Sequence, residues 1–329
     1  MTPTLVRQHV AHAAPRVDLC ARARDWSEIQ ERMLVPLYEA VHERLEVGPG
    51  TRLLGLRCGA GLALLLAAGR GAEVTGVDAA SPERLALARE RLLPGASRGA
   101  NGGAGAGSRK DGPRGESRSV ATGPGVDGGR GQGPRGESRA GAGGRTRARG
   151  ARLVGGSSRD AAGLEDSPYT LVTVFEPIGC LAGDSEGLGE LLADALPLAA
   201  RGAAVVLAGW GPPERCATSS VLRVATKLAD PLRSARSWRP ARRDDLEEVA
   251  QRAGLKPDGS GRVACPFGYA DTDSAVRGLL STGLFDAAIA ATDAKQVDKE
   301  LTEALHPYRR TDGTVWMPNV FRYLVARVP

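Results

Sequence analysis

The 329-residue chain predicts an α/β fold built on a doubly wound, mainly parallel sheet. Three observations carry that reading. Candidate strands and helices alternate along most of the sequence. One candidate strand, Ala203–Ala208, is apolar throughout, as expected where helices cover both faces of a parallel sheet. A third signal lies near the N-terminus. There a strand runs into the turn Arg57-Cys58-Gly59-Ala60-Gly61, then a helix, then a second strand closing on Asp78.

The elements follow in order. Asp25 to Val47 reads as an amphipathic helix, with Ile29, Met33, Leu37, Val41 and Leu45 on one stripe. Asp25 and Glu28 have the spacing of a capping box, and Pro36 should kink or break the helix. Gly48-Pro49-Gly50 introduces the strand Arg52–Leu56, and Leu62–Arg70 is helical. Glu73–Val77 is the second strand; Ser81 caps a helix over Pro82–Leu92, with Pro82 at its first position. Short strands are expected at Arg152–Val154 and Leu171–Phe175, a helix at Leu188–Leu198, then the apolar strand. Downstream, Asp244–Ala253, Thr272–Ser281 and Phe285–Leu305 read as helices, and Arg262–Phe267 and Val320–Arg327 as strands.

Residues 94–151 interrupt this pattern. They contain no aromatic residue, are dominated by Gly, Ala, Ser and Arg, and repeat Gly-Pro-Arg-Gly-Glu-Ser-Arg at Gly112 and Gly133. So little apolar surface cannot offset the entropy of ordering a backbone, and a disordered insert is expected. Residues 1–24 read as a tail, and 25–93 with 152–329 as a single domain. Between Ser97 and Arg152 there are 12 Lys or Arg against 4 Asp or Glu, a net +8. The formal charge of +6 therefore leaves +6 − 8 = −2 on the remainder, so the basic balance does not mark a binding face. A nucleic-acid arm is disfavoured, since the insert has no aromatics to stack on bases. Five cysteines (Cys20, Cys58, Cys180, Cys216, Cys265) show neither metal nor redox spacing. With no signal-peptide run and no membrane span, a soluble cytoplasmic protein with no metal is expected.

The chemistry sits at strand ends. Glycines at Gly59 and Gly61 let a backbone approach a nucleoside, and a carboxylate at Asp78 can accept hydrogen bonds from ribose hydroxyls. The alternative for Asp78 is a turn acid before Ser81. Glu176 follows the fourth strand, where it would orient an acceptor or act as general base, or else be a loop acid. Trp210 is a candidate wall for an acceptor pocket or a packing residue, as are Tyr269, Trp316 and Tyr323. Cys58 reads as buried filler, and the histidines form no ligand cluster.

In its strand ends the chain resembles the class I S-adenosylmethionine-dependent methyltransferases, most of all the type 11, ubiquinone/menaquinone-biosynthesis-like group. The resemblance is carried by Leu53–Ala68, Val74–Ala79, Ser167–Thr173, Val205–Cys216 and Phe321–Arg327. It implies a Rossmann-like seven-stranded sheet with the last strand antiparallel, and S-adenosylmethionine as cofactor. It places Gly55, Arg57, Gly59, Gly61, Asp78, Ala79, Ser157 and Phe175 at the cofactor, with Glu176 as candidate catalytic residue. The family carries an acid where this chain has Gly55 and a glycine where it has Arg57. A Gly-Asp pair is replaced by Gly156-Ser157-Ser158, with Asp160 as a stand-in; Tyr169-Thr170 and Ala200-Arg201-Gly202 also depart. The implied function is methyl transfer to a small apolar or aromatic metabolite, with no membrane or nucleic-acid partner. The alternative is a cofactor-binding-degenerate relative serving as a regulatory or partner subunit.

Overall fold

The computed structural model describes residues 17–93, 150–161, 167–180, 183–229 and 241–329. Most of the predicted insert lies outside these residues. The first third runs α1 (Leu19–Asp25), α2 (Val35–Arg44), β1 (Arg52–Leu56), α3 (Leu62–Gly69), β2 (Glu73–Val77) and α4 (Pro82–Leu92). Then come β3 (Ala151–Val154), β4 (Tyr169–Ile178), α5 (Asp184–Ala195), β5 (Ala199–Trp210), α6 (Thr218–Leu228) and α7 (Asp245–Arg252). The C-terminal part holds β6 (Lys256–Ala264), β7 (Phe267–Tyr269), α8 (Thr272–Ser281), α9 (Asp286–Ala291), α10 (Ala294–Leu305), β8 (Val315–Met317) and β9 (Val320–Arg327).

Seven strands form one sheet in the order β3-β2-β1-β4-β5-β9-β6, with β7 and β8 paired in a separate ribbon. Strands β1 to β5 are mutually parallel, and β9 runs antiparallel between β5 and β6. Strand alternation divides the core in two. Leu53, Val74, Leu171 and Val206 face one side with α2, α3, α6, α8 and α10; Leu54, Val172, Val205 and Leu207 face the other with α5 and α7. The chain turns left from β1 to β2 and β3, then crosses back to β4. Such a switch point is where open α/β sheets bind ligands, at the carboxyl ends of the strands.

Several elements differ from expectation, each for a physical reason. Asp25 ends α1 and does not cap a helix: its carboxylate accepts from Arg277 (2.7 Å), while Asp18 caps α1, within the segment read as tail. The expected single helix breaks into a π-turn (Trp26–Gln30) and a 3-10 turn (Glu31–Leu34), and restarts just ahead of Pro36, which the first turn tolerates. β3 begins at Ala151. β6 starts six residues upstream of the predicted Arg262–Phe267 and shares Arg262–Ala264 with it, because this edge strand is mostly polar and carries little apolar signal; Phe267 belongs to the ribbon. Helix α6, not foreseen, buries Val221, Leu222 and Val224. The helix expected over Phe285–Leu305 is interrupted where Asp293 accepts from Gln296 N (2.9 Å) and starts a new helix.

Candidate functional site

The glycine turn between β1 and α3 forms the floor of a crevice. Gly59 (φ +56°) and Gly61 (φ +79°) hold the left-handed backbone that lets the chain reverse into α3. Asp78, 6% exposed at the tip of β2, braces this turn: Oδ2 accepts from Gly59 N (3.0 Å), and Oδ1 from Ala80 N (2.9 Å) and Ser81 N (3.3 Å). A carboxylate offers about four acceptor sites, so three of them are committed to backbone and about one is left for a ligand hydroxyl. Asp78 is thus both the turn acid and a candidate ribose acceptor of reduced capacity.

The N-terminal turns supply the opposite wall. Glu31, 3% exposed, accepts from Leu62 N (3.2 Å) at the start of α3 and from Arg91 Nη1 (2.5 Å). Arg91 also reaches Ala60 O (2.8 Å), stapling this segment to the glycine turn. Burial pushes the Glu31 carboxyl up, and the Arg91 guanidinium opposes that shift. Trp26 lies over the same turn, with its indole N–H buried and unpartnered among the described residues. The Arg84 guanidinium stacks on the Trp26 ring at 4.1 Å and donates to Ser281 O (2.8 Å). Burial lowers the pKa of Arg84.

Two hollows meet here. The first encloses about 640 Å³, counting its open mouth, between the glycine turn, Asp78, Leu34, Tyr38, Thr173 and Phe175. The second, about 900 Å³ on the same measure, extends to Trp210, Phe267, Leu284 and Phe321. Trp26, Leu34, Arg57, Arg84 and Glu176 line both. At this boundary Arg57 donates from Nη1 to Glu176 Oε2 (3.1 Å). Arg57 adopts a φ of +48°, a left-handed conformation rarely occupied outside glycine. The place beneath it that an acid would fill is occupied by hydrocarbon. Gly55 and Gly76 are register partners on β1 and β2, and Leu64 lies against both; a Cβ at Gly55 would sit 2.8 Å from Leu64 Cδ2.

Of the expected cofactor residues, Gly55, Arg57, Gly59, Asp78 and Phe175 line the crevice together, with Glu176 at its boundary. Gly61 lies outside the lining and serves packing, since a Cβ there would meet Ala88 Cβ at 2.9 Å. Ala79 is exposed and outside the lining. Ser157 turns away: its hydroxyl donates to Asp194 Oδ2 (3.3 Å), while Asp160 accepts from Ser157 N (2.8 Å) and closes a local turn. Trp210 walls the second hollow, packed against Phe321 with ring centroids 4.5 Å apart. Tyr269, Trp316 and Tyr323 do not line it. Tyr269 is buried and donates to Gln30 Oε1 (3.0 Å), and Trp316 lies at the surface beneath Arg310. Cys58, expected as buried filler, is half-buried and lines the crevice, its thiol pushed up to about 12 by burial and then by the Asp78 charge. Trp26, Glu31 and Arg84 were not foreseen. Arg84 carries the one readable signal, a cation in the first turn of a helix that starts at the strand end.

Among the described residues no cluster of His, Cys, Asp and Glu could hold a metal ion, and no helix is long and apolar enough to cross a membrane. No protein-family model matches the chain, and no curated protein matches it in sequence. Among solved structures, a SAM-dependent methyltransferase from Thiobacillus denitrificans in complex with S-adenosyl-L-homocysteine is 14% identical (TM-score 0.45, covering 95% of this chain and 99% of that one). A second, from Geobacter sulfurreducens and also in complex with S-adenosyl-L-homocysteine, is 16% identical (TM-score 0.44, 96% and 100%). YjhP from E. coli is 16% identical (TM-score 0.46, 94% and 99%). All three scores are below 0.5, and the assignment of the fold rests on the sheet itself. With five parallel strands, an antiparallel β9 inserted before the edge and the switch point at β1 and β4, the chain has the Rossmann-like fold of class I methyltransferases.

Proposed function

We propose that the crevice binds S-adenosylmethionine and that the chain transfers a methyl group to a small apolar or aromatic acceptor in the adjoining hollow. The observation that carries this reading is the meeting of the two hollows at Arg57, Arg84 and Glu176, at the carboxyl edge of the sheet. The donor set suits a nucleoside. Asp78 keeps an acceptor site for a sugar hydroxyl, the unpartnered Trp26 N–H is a free donor, and Phe175 and Leu34 supply apolar walls. Arg57 opposes a sulfonium, but its charge is balanced by Glu176.

When bound, the cofactor supplies a methyl group already activated for displacement, so positioning rather than acid catalysis is required of the protein. Trp210, Phe267 and Phe321 would exclude water around the acceptor. Glu176, at the boundary, is placed to orient an acceptor hydroxyl or accept its proton. Isothermal titration with S-adenosylmethionine and S-adenosylhomocysteine tests the reading. Absence of heat for both at millimolar ligand would remove it.

A second reading has its own observations. Asp78 is largely committed to backbone, Leu64 fills the notch at Gly55, and the Arg57–Glu176 pair spans the boundary. These features suit a relative that has lost cofactor binding and serves as a regulatory or partner subunit. The same titration separates the two.

A further inference from the structure

An arginine-lined hollow lies on the far side of Trp210. Arg215 comes from the turn after β5, Arg242 and Arg243 from the approach to α7, Arg262 from β6 and Arg322 from β9. The hollow encloses about 900 Å³ including its open mouth, and Glu214 is the one carboxylate among its lining residues. Arg262 and Arg322 are direct register partners on neighbouring antiparallel strands. Like charges so placed repel and cost stability unless an anion lies between them. Arg322 is compensated, donating to Glu247 Oε1 (2.7 Å) and to the carbonyl of Arg243. Among the described residues no carboxylate pairs with the guanidinium of Arg215, Arg242, Arg243 or Arg262, and all four are exposed.

Trp210 lines this hollow and the apolar one alike. From this placement we infer that the arginine hollow is an anion subsite for the acceptor. The acceptor is then an amphiphile, with an aromatic or aliphatic body against Trp210, Phe267 and Phe321 and a phosphate, or another compact polyoxyanion, among the arginines. Guanidinium groups hold such oxyanions by paired N–H donors, and several converging on one hollow favour a doubly charged group over a single carboxylate. The acceptor assignment rests on the proposed methyl transfer; the anion subsite does not.

The test compares 1-naphthyl phosphate, 1-naphthol and inorganic pyrophosphate on the full chain by isothermal titration. Each is measured on wild type and on Arg215→Ala/Arg262→Ala, two exposed residues outside the cofactor crevice. Naphthyl phosphate is expected to bind wild type at least about tenfold tighter than naphthol, and the double variant should erase that ratio. S-adenosylhomocysteine affinity should be the same in both proteins. A ratio of one in wild type with no pyrophosphate binding, or a ratio retained in the variant, overturns the subsite. Pyrophosphate binding without any gain for naphthyl phosphate over naphthol overturns the acceptor assignment and marks a site for free phosphates. If the ratio is present but neither S-adenosylmethionine nor its product binds, methyl transfer and the acceptor assignment fall together, and the anion subsite stands.

Discussion

Replacing Arg57 by glycine asks whether a cationic ligand lies beside this side chain. Arg57 holds a φ of +48°, which costs an L-residue about 1–2 kcal/mol and glycine almost nothing. Its ion pair with Glu176 is partly exposed, and such pairs return about 0–1 kcal/mol. Arg57→Gly should therefore leave the fold about 0–2 kcal/mol more stable. The electrostatic change is larger. At the boundary between the hollows the Arg57–Glu176 pair passes from neutral to a net −1 on Glu176, with Arg84 unchanged. A sulfonium about 6–8 Å from that carboxylate, at an effective dielectric of about 20–40, gains about 1–3 kcal/mol. S-adenosylhomocysteine has the same nucleoside and amino-acid ends but a neutral sulfur, so it gains no such term. The preference for S-adenosylmethionine over its product should rise about five- to 150-fold. Isothermal titration of both ligands reads this ratio, and adding Glu176→Gln should return it to the wild-type value. An unchanged ratio in Arg57→Gly, with both ligands binding, would refute the placement of a sulfonium beside this pair.

Three further outcomes follow from the same geometry. Gly55→Ala should cost about 1–3 kcal/mol by overpacking Leu64, and Leu64→Ala about 2–5 kcal/mol. Their double variant should cost less than the sum, because the two changes share one space; additive denaturant midpoints would contradict the notch at Gly55 and Gly76. Asp78→Asn retains one oxygen but turns an amide donor toward a backbone N–H. It should cost about 1.5–3 kcal/mol of stability and weaken S-adenosylhomocysteine binding in parallel; stability unchanged with binding lost would mean that Asp78 serves the ligand alone. His42 is buried against Phe175 with neither ring nitrogen partnered among the described residues, and its pKa is lowered to about 4, first by burial and then by Arg70. The unfolded chain binds this proton near pH 6.5 and the folded chain only near 4, so stability should fall by about 3 kcal/mol as pH drops through that window. His42→Leu should flatten this slope in denaturant titrations, and an identical slope would assign it to other groups.

The parts of the fold legible in the sequence are those where one chemistry dominates. Ala203–Ala208 is apolar because both faces are covered, and Ser81-Pro82 marks a helix start by capping and by a fixed φ; both lie in the structure as expected. The edge strand β6 is shifted from its expected position because its half-buried positions are Gly259, Gly261 and Val263, so its alternation carries almost no apolar signal. The break at Trp26–Leu34 was invisible for the opposite reason. The four-residue apolar stripe runs through it unbroken, and only the burial of Glu31 against Leu62 N and Arg91 shows why a π-turn and a 3-10 turn are stable there. Asp78 was foreseen as a site residue, but its three backbone hydrogen bonds depend on a turn geometry that spacing alone does not specify.

The departures from the family pattern take on a different meaning once their partners are known. Read along the chain, Gly55 is a lost side chain and Arg57 an intrusive one, and together they suggest decay. In the fold each has a counterpart. Leu64 lies in the notch that Gly55 and Gly76 share, and Glu176 neutralises Arg57 from a position 119 residues away. Unrepaired loss would leave a void under the glycine turn, at about 24 cal/mol per Å³ of cavity, and an unpaired cation in a half-buried crevice. At Gly55 and Arg57 neither is present. The hollow is packed at Gly55 by Leu64, carries a charge-paired Arg57 at its boundary and opens toward the aromatic pocket, so the departures alter the charge and shape it offers a ligand. On the proposed function this is a site fitted to a different balance of contacts, and it is why the Arg57→Gly ratio, rather than binding alone, is the measurement that discriminates.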